Sequence, residues 1–274
     1  MSDSFVTTEE ENWRLEQQSK IIRFYQDGKL LLCPFDLSRS NLRILDSASS
    51  DGYWLSQLQA NLKDPGSCTL IGTDIQDRHL RALPPGISFQ IQDILQPWPE
   101  SWKSSFDLVH QTLVLTVAGP RQRETVNAVL ELVKPGGWVE LMEPDGEAGD
   151  DDGPAHQQFV AMMNEIGVWL GAPKGFSKDL EGYLLDAGFL DVKTVVLPGG
   201  TGPKLPDSGM REASIQSAVI SGKNVIATGK RTPGGLRCIS LADFETWLVR
   251  WEAELRMRGG SYPLRVVYGR RPDT

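Results

Sequence analysis

Carboxylates end three short apolar runs: Leu42-Arg-Ile-Leu-Asp46, Thr69-Leu-Ile-Gly-Thr-Asp74 and Ile87-Ser-Phe-Gln-Ile-Gln-Asp93. A carboxylate fixed at a strand tip accepts two hydrogen bonds side by side, which matches the paired hydroxyls of a ribose, and Asp74 is placed for that. Asp93 is placed for an exocyclic amine, with Ile94 or Ile75 against a purine face. The stretch Asp46-Ser47-Ala48-Ser-Ser50-Asp-Gly52 consists of small and acidic residues, so its backbone can approach a ligand closely. Singly, each acid reads as a turn or helix cap; their order and spacing point to a nucleoside site.

Two nucleoside chemistries compete for such a site. A dinucleotide needs Gly-x-Gly-x-x-Gly to cradle its pyrophosphate. Here two of those glycines are absent and Asp51 stands in the turn, where a phosphate would meet a carboxylate. S-adenosylmethionine carries a sulfonium and an ammonium and no phosphate, so an acid-flanked turn suits it. Further along, Phe106-Asp-Leu-Val-His110 ends in His110 and Gln111, which would line the space between cofactor and acceptor. His110 is the first choice as a base where the acceptor must lose a proton, with His156 and Glu143 in reserve; it reads equally well as a hydrogen-bonded strand terminus. Glu143 and Asp145, after the fifth run, carry the same two readings.

Other chemistries find little support. The three histidines, His79, His110 and His156, are far apart, so no histidine metal site is expected. No Gly-x-Ser-x-Gly elbow marks a hydrolase, and Cys33, Cys68 and Cys238 make no paired motif. A net charge of −8 argues against a nucleic-acid partner. The acidic N-terminus and the lack of an apolar run near 20 residues argue against a signal peptide or a membrane span, and the expected location is cytoplasmic.

The elements that must position these residues alternate strand with helix. Strands are expected at 42–46, 69–74, 87–93, 106–110, 138–142, 189–197 and 262–269. Helices are expected at 54–58, 124–133, 155–170, 178–187, 211–229 and 241–258. This alternation predicts an α/β fold with a doubly wound, mostly parallel seven-stranded sheet and a helical cap. An amphipathic helix over 9–27, capped by Gly28, forms an N-terminal helical lid within residues 1–37; residues 38–274 form the main domain. Its cap helices fall at about 154–175 and 207–260, and its final strand at about 262–270. Trp13, Tyr25, Trp169, Trp247 and Trp251 lie on these peripheral helices, which predicts an enclosed aromatic-lined pocket. Tyr25, Glu143, Trp169 and Trp247 are the expected substrate contacts.

Taken in order, residues 42–55, Gly72-Thr-Asp-Ile75, Gln92-Asp-Ile94 with Pro97-Trp-Pro99, Phe106-Asp-Leu-Val-His-Gln111 and Leu132-Val-Lys-Pro-Gly-Gly-Trp-Val-Glu-Leu-Met-Glu143 resemble the successive motifs of class I S-adenosylmethionine-dependent methyltransferases. More narrowly, the chain resembles their fungal secondary-metabolism branch, which includes gliotoxin-type N-methyltransferases and relatives of a regulator of secondary metabolism. The resemblance is dense over about residues 40–145. It implies that Asp46, Ser47, Ala48, Ser50 and Gly52 lie at the methionine moiety, Asp74 and Ile75 at the ribose and adenine, Asp93 and Ile94 at the adenine amine, and His110 and Gln111 beside the acceptor. Three departures stand out: Ala48 and Ser50 replace the first two glycines of the common first motif, and Thr112 stands where an arginine is common. The implied activity is methyl transfer to nitrogen or oxygen of a small-molecule acceptor, a fungal secondary metabolite. A cyclase or isomerase that keeps its cofactor, or a partner-binding regulator of the same fold, are the rivals.

Overall fold

The structure, a computed structural model, describes residues 6–77 and 81–274; His79 lies outside the described residues. Strands β1 (Arg43–Ser47), β2 (Thr69–Asp74), β3 (Ile87–Ile91), β4 (Phe106–Thr112), β5 (Val133–Pro144), β6 (Leu190–Leu197) and β7 (Leu264–Arg270) form one sheet in the order β3-β2-β1-β4-β5-β7-β6. The first five are parallel, and β7 runs antiparallel between β5 and β6. The α/β alternation thus yields the expected seven-stranded, mostly parallel sheet.

Alternating residues feed two cores, as the two-residue period of a strand requires. Leu45, Ile71, Val109, Leu141 and Val267 point to one face, under helices α3 (Gln122–Leu130) and α5 (Leu180–Asp186). Ile44, Leu70 and Leu108 point to the other, against Leu55 and Leu58 of α2 (Tyr53–Gln59) and the segment Leu30, Leu31 and Cys33. Each of these side chains is almost fully buried, contributing about 1.5–3 kcal/mol apiece.

Most strand limits lie within one or two residues of the expected ones, and two differences bear on the site and the sheet. β3 ends at Ile91, so Asp93 lies in the following turn, where its Oδ1 accepts the Leu95 N–H at 2.9 Å. β5 starts at Val133, because the Lys134-Pro-Gly-Gly turn is an irregularity inside the pairing with β4 and not the strand's entrance.

Helices α4 (Pro154–Trp169), α6 (Arg211–Arg231) and α7 (Phe244–Arg258) pack into a separate cluster around Phe159, Trp247 and Trp251. Gly153 offers α4 no capping side chain. Glu254 of α7 takes over, accepting the Ala155 and His156 N–H groups at 3.2 and 2.8 Å.

Helix α1 (Thr8–Tyr25) begins with a capping box between Thr7 and Glu10. None of its residues is buried. It lies along α6 through polar pairs: Lys223 to Glu10, Asn224 to Glu11, and Ser217 to the Arg14 carbonyl. No helix of the described residues is long and apolar enough to cross a membrane.

Candidate active site

The turn after β1 is held in left-handed backbone: φ is +57° at Ala48, +50° at Ser50 and +73° at Gly52. The two residues that replace glycine therefore keep a glycine-like conformation, at a cost of about 1–2 kcal/mol each. Such strain persists only where neighbours over-determine it. The Ser49 N–H donates to the Thr73 carbonyl at 2.7 Å, and the Ser50 N–H donates to Asp74 Oδ2 at 3.0 Å. Gly72 makes room beneath: a Cβ there would stand 2.7 Å from Ser49 Oγ and 3.0 Å from Leu55 Cδ1. Asp74 Oδ1 accepts the Ile75 N–H at 2.8 Å, so its carboxylate is fixed in direction at the strand tip.

Register places Asp46 opposite His110, and His110 opposite Glu140, across β1, β4 and β5. His110 Nδ1 lies 2.7 Å from Asp46 Oδ1, both side chains buried, and Thr112 Oγ1 is 3.1 Å from Nε2. The Trp54 indole stacks on the imidazole, centroids 3.8 Å apart and planes 3° from parallel. Burial pushes the Asp46 carboxyl above its ordinary range, and the His110 contact pulls it part of the way back. Burial also raises Glu140, whose Oε2 accepts the Leu32 and Cys33 N–H groups and so ties the segment after α1 to the sheet.

Above these residues lies a cavity of about 610 Å³, within the range of small-molecule sites. Its floor includes Asp46, Ala48, Ser50, Asp74 and His110. One wall is α1, with Arg14 and Gln18; α6 adds Ser221, Asn224 and Thr228, and the apolar part of the lining includes Met142, Phe159, Met163, Ile166 and Tyr262.

Several expected site residues sit elsewhere. Ser47 and Gln111 share the opposite sheet face, where Ser47 Oγ donates to Gln111 Oε1 at 2.9 Å. Ile94 is buried in the core with Trp98 and Trp102, and so presents no face to a purine from inside the cavity. Ile75 is exposed at the strand tip, and neither it, Asp93 nor Gly52 lines the cavity.

The substrate contacts expected from the aromatics are corrected. Trp247 is fully buried inside the cap, donating Nε1–H to the Ala155 carbonyl at 3.0 Å. Trp169 is surface-exposed at the end of α4. Tyr25 packs against the sheet, and its hydroxyl accepts the Gly200 N–H at 3.0 Å. Glu143 is a structural acceptor for the Val114 and Leu115 N–H groups, both at 2.9 Å, and burial raises its pKa to about 7. The reserve base His156 is locked as well: Trp251 Nε1–H donates to its Nδ1 at 3.1 Å, and Nε2 faces the Ser261 carbonyl at 2.9 Å. The aromatic that does reach the cavity from the cap is Phe159.

Asp51 differs from its expected part. Burial raises its carboxyl, but the Tyr53 N–H and the Arg81 guanidinium oppose that, and its charge is committed to Arg81. The cavity acids without an Arg or Lys partner among the described residues are Asp46 and Asp74. Sequence reasoning missed Arg81, Trp54 and the contact of Thr112 with His110. Trp54 stood inside a quoted motif, at helical spacing from the turn; Arg81 had no motif around it.

No protein-family model matches the chain. Relatives match along almost its whole length. It is 32% identical to the N-methyltransferase gliN of Aspergillus fumigatus, over 96% of this chain and 94% of that one. It is 33% identical to the N-methyltransferase sirN of Leptosphaeria maculans, over 96% and 92%. Among solved structures, Haemonchus contortus phosphoethanolamine N-methyltransferase 2 in complex with S-adenosyl-L-methionine superposes with a TM-score of 0.53 at 14% identity, covering 94% of this chain and 52% of that chain. The [4+2]-cyclase SpnF superposes with a TM-score of 0.51 at 14% identity, covering 96% and 94%. Both structural likenesses concern the fold alone. With its acid-floored cavity at the tips of a 3-2-1-4-5-7-6 sheet, the chain belongs to the S-adenosylmethionine-dependent methyltransferases, in the branch that holds these fungal N-methyltransferases.

Proposed function

We propose that the chain methylates a nitrogen of a neutral, largely apolar small molecule held between the strand tips and helices α1, α4 and α6, with His110 as the base. The observation that carries this is the Asp46–His110–Thr112 chain at the cavity floor beside the strained turn. The residues fit the cofactor. Two carboxylates without an Arg or Lys partner suit a cation, the space above Gly72 admits the turn, and Asp74 is aligned by two N–H groups for ribose hydroxyls. When bound, S-adenosylmethionine supplies an electrophilic methyl group on a sulfonium.

The protein's work is then orientation and proton removal. Holding both reactants in line accounts for roughly 7–11 kcal/mol of barrier. Asp46 accepts the Nδ1–H of His110, which leaves the Nε2 lone pair for the acceptor. Thr112 Oγ1 marks the place an acceptor N–H would take. On the α1 wall Arg14 is paired with Glu11 at 2.6 Å, so its charge is already met within the protein. The relatives' description as N-methyltransferases supports nitrogen over oxygen.

The test is transfer from methyl-tritiated S-adenosylmethionine to a panel of neutral secondary amides and free amines, with S-adenosylhomocysteine release measured in parallel. His110→Asn is expected to bind S-adenosylhomocysteine normally and to lose about 10²–10⁴ in rate on amides, with a far smaller loss on amines that react already deprotonated. An unchanged amide rate in His110→Asn refutes the base. Conversion without S-adenosylhomocysteine release refutes transfer itself and favours the cofactor-retaining reading.

A further inference from the structure

One guanidinium joins two parts of the site that the sheet leaves unconnected. Arg81 Nε and Nη2 both donate to Asp51 Oδ2, Nε at 2.9 Å. From the same group, Nη1 reaches Glu16 Oε2 at 3.4 Å and Nη2 reaches the Asn12 carbonyl at 3.3 Å, both on α1. Its central carbon stands 4.9 Å from the Tyr53 ring centre. Arg81 is therefore shared between the turn after β1 and the helix that walls the cavity.

Helix α1 is anchored to the sheet at its C-terminal end, where Ile22 and Tyr25 pack against Met142, Leu197, Leu264 and Val266. Toward its N-terminus no residue is fully buried, and the ties to α6 are polar. A helix end held this way belongs to the part of a fold that opens at least cost. The turn, in contrast, is strained at Ala48 and Ser50 and must be held from outside. Asp51 carries both duties, since its Oδ1 accepts the Tyr53 N–H at 3.0 Å while Oδ2 takes Arg81.

We infer that Arg81 is a positioning residue that couples occupancy of the cofactor turn to closure of α1 over the cavity. The inference rests on the placement of the cofactor at Asp46, the turn and Asp74. A ligand packed on the turn fixes Asp51; Asp51 fixes the guanidinium, and the guanidinium fixes Glu16 and the Asn12 carbonyl. Linkage makes this reciprocal: a tethered α1 raises affinity for the ligand, and a closed helix over the cavity is expected to act mainly on dissociation. The Lys20–Glu16 pair at 2.8 Å lies within α1 and cannot replace the connection.

The test uses the full chain, with S-adenosylhomocysteine as the probe, and reads hydrogen exchange over residues 8–25 together with dissociation kinetics. In the wild type, ligand raises protection of α1. In Arg81→Gln the ligand still binds, α1 protection no longer responds, and dissociation is roughly tenfold faster. Glu16→Ala removes the side-chain contact at the α1 end, keeping Arg81–Asp51 and the Asn12 carbonyl contact, so it reports a partial loss of the coupling even if Arg81→Gln folds poorly. Combining the two adds little to Arg81→Gln alone, because they break one path. Protection of α1 that does not respond to ligand in the wild type, or that responds undiminished in both variants, overturns the inference. If Asp74→Ala leaves affinity unchanged while the α1 response persists, the cofactor placement fails and the coupling must be assigned to another ligand position.

Discussion

Gly72→Ala tests whether the turn rests on the second strand as described. The added Cβ would stand 2.7 Å from Ser49 Oγ, 3.0 Å from Leu55 Cδ1 and 3.3 Å from Ser49 Cβ. Leu55 is fully buried, and Ser49 is pinned through its N–H to the Thr73 carbonyl, so neither yields freely. Overpacking of this kind costs about 1–3 kcal/mol, and replacing a strand glycine returns about 0.5–1 kcal/mol of backbone entropy. The expected net loss is about 1–2 kcal/mol, or roughly 2–8 °C in Tm. Ser49 Oγ is buried without a hydrogen-bond partner among the described residues, so Ser49→Ala alone is expected to be nearly neutral. In the double variant it removes the shortest contact and should recover about 0.5–1 kcal/mol. Urea denaturation of the four proteins measures the cycle, and calorimetry with S-adenosylhomocysteine follows the turn. Affinity should fall in Gly72→Ala and partly return in the double variant. Wild-type stability and affinity in Gly72→Ala would refute the claim that the turn is seated against Gly72.

Two further outcomes follow from the same geometry. Ala48→Gly and Ser50→Gly each remove left-handed strain of about 1–2 kcal/mol but restore glycine's entropy cost of about 0.5–1 kcal/mol; each variant should be up to about 1 kcal/mol more stable in urea, and clear destabilisation would contradict the backbone described. Glu143, with its folded pKa raised to about 7 from an ordinary 4.5, favours the folded state while protonated; that contribution is whole below about pH 4.5 and is lost as pH rises through 7. Glu143→Gln keeps an oxygen for the Val114 and Leu115 N–H groups, so its urea midpoint should fall less than the wild type's between pH 5 and pH 8. Equal slopes would show that Glu143 does not titrate in that window; Asp46 and Glu140, raised in the same direction, set the slope that remains.

The strands were readable because their residues obey a single local rule. Thr69–Asp74 alternates toward two cores, and its limits coincide with expectation. Asp93 misled because a run ending in an acid looks the same whether the acid is on the strand or two residues beyond it. The turn's chemistry was legible as small residues and acids, yet its left-handed backbone at Ala48 and Ser50 was not, since neither residue type demands it. Trp247 and Tyr25 show where helical periodicity stops being informative: it locates an apolar face, but not whether protein or ligand covers that face. Arg81 could not be found by pattern, because its partners Asp51, Glu16 and Asn12 lie 30 to 69 positions away.

The central claim is that an adenosyl cofactor is held by its ribose at Asp74, above the turn after β1. Calorimetry with S-adenosylhomocysteine on the wild type and on Asp74→Ala tests it most directly. The expected result is saturable one-to-one binding in the wild type and a loss of about tenfold to a hundredfold in Asp74→Ala, the worth of charge-assisted hydrogen bonds to a diol. Equal affinity in the two proteins, or no binding to the wild type, would contradict it.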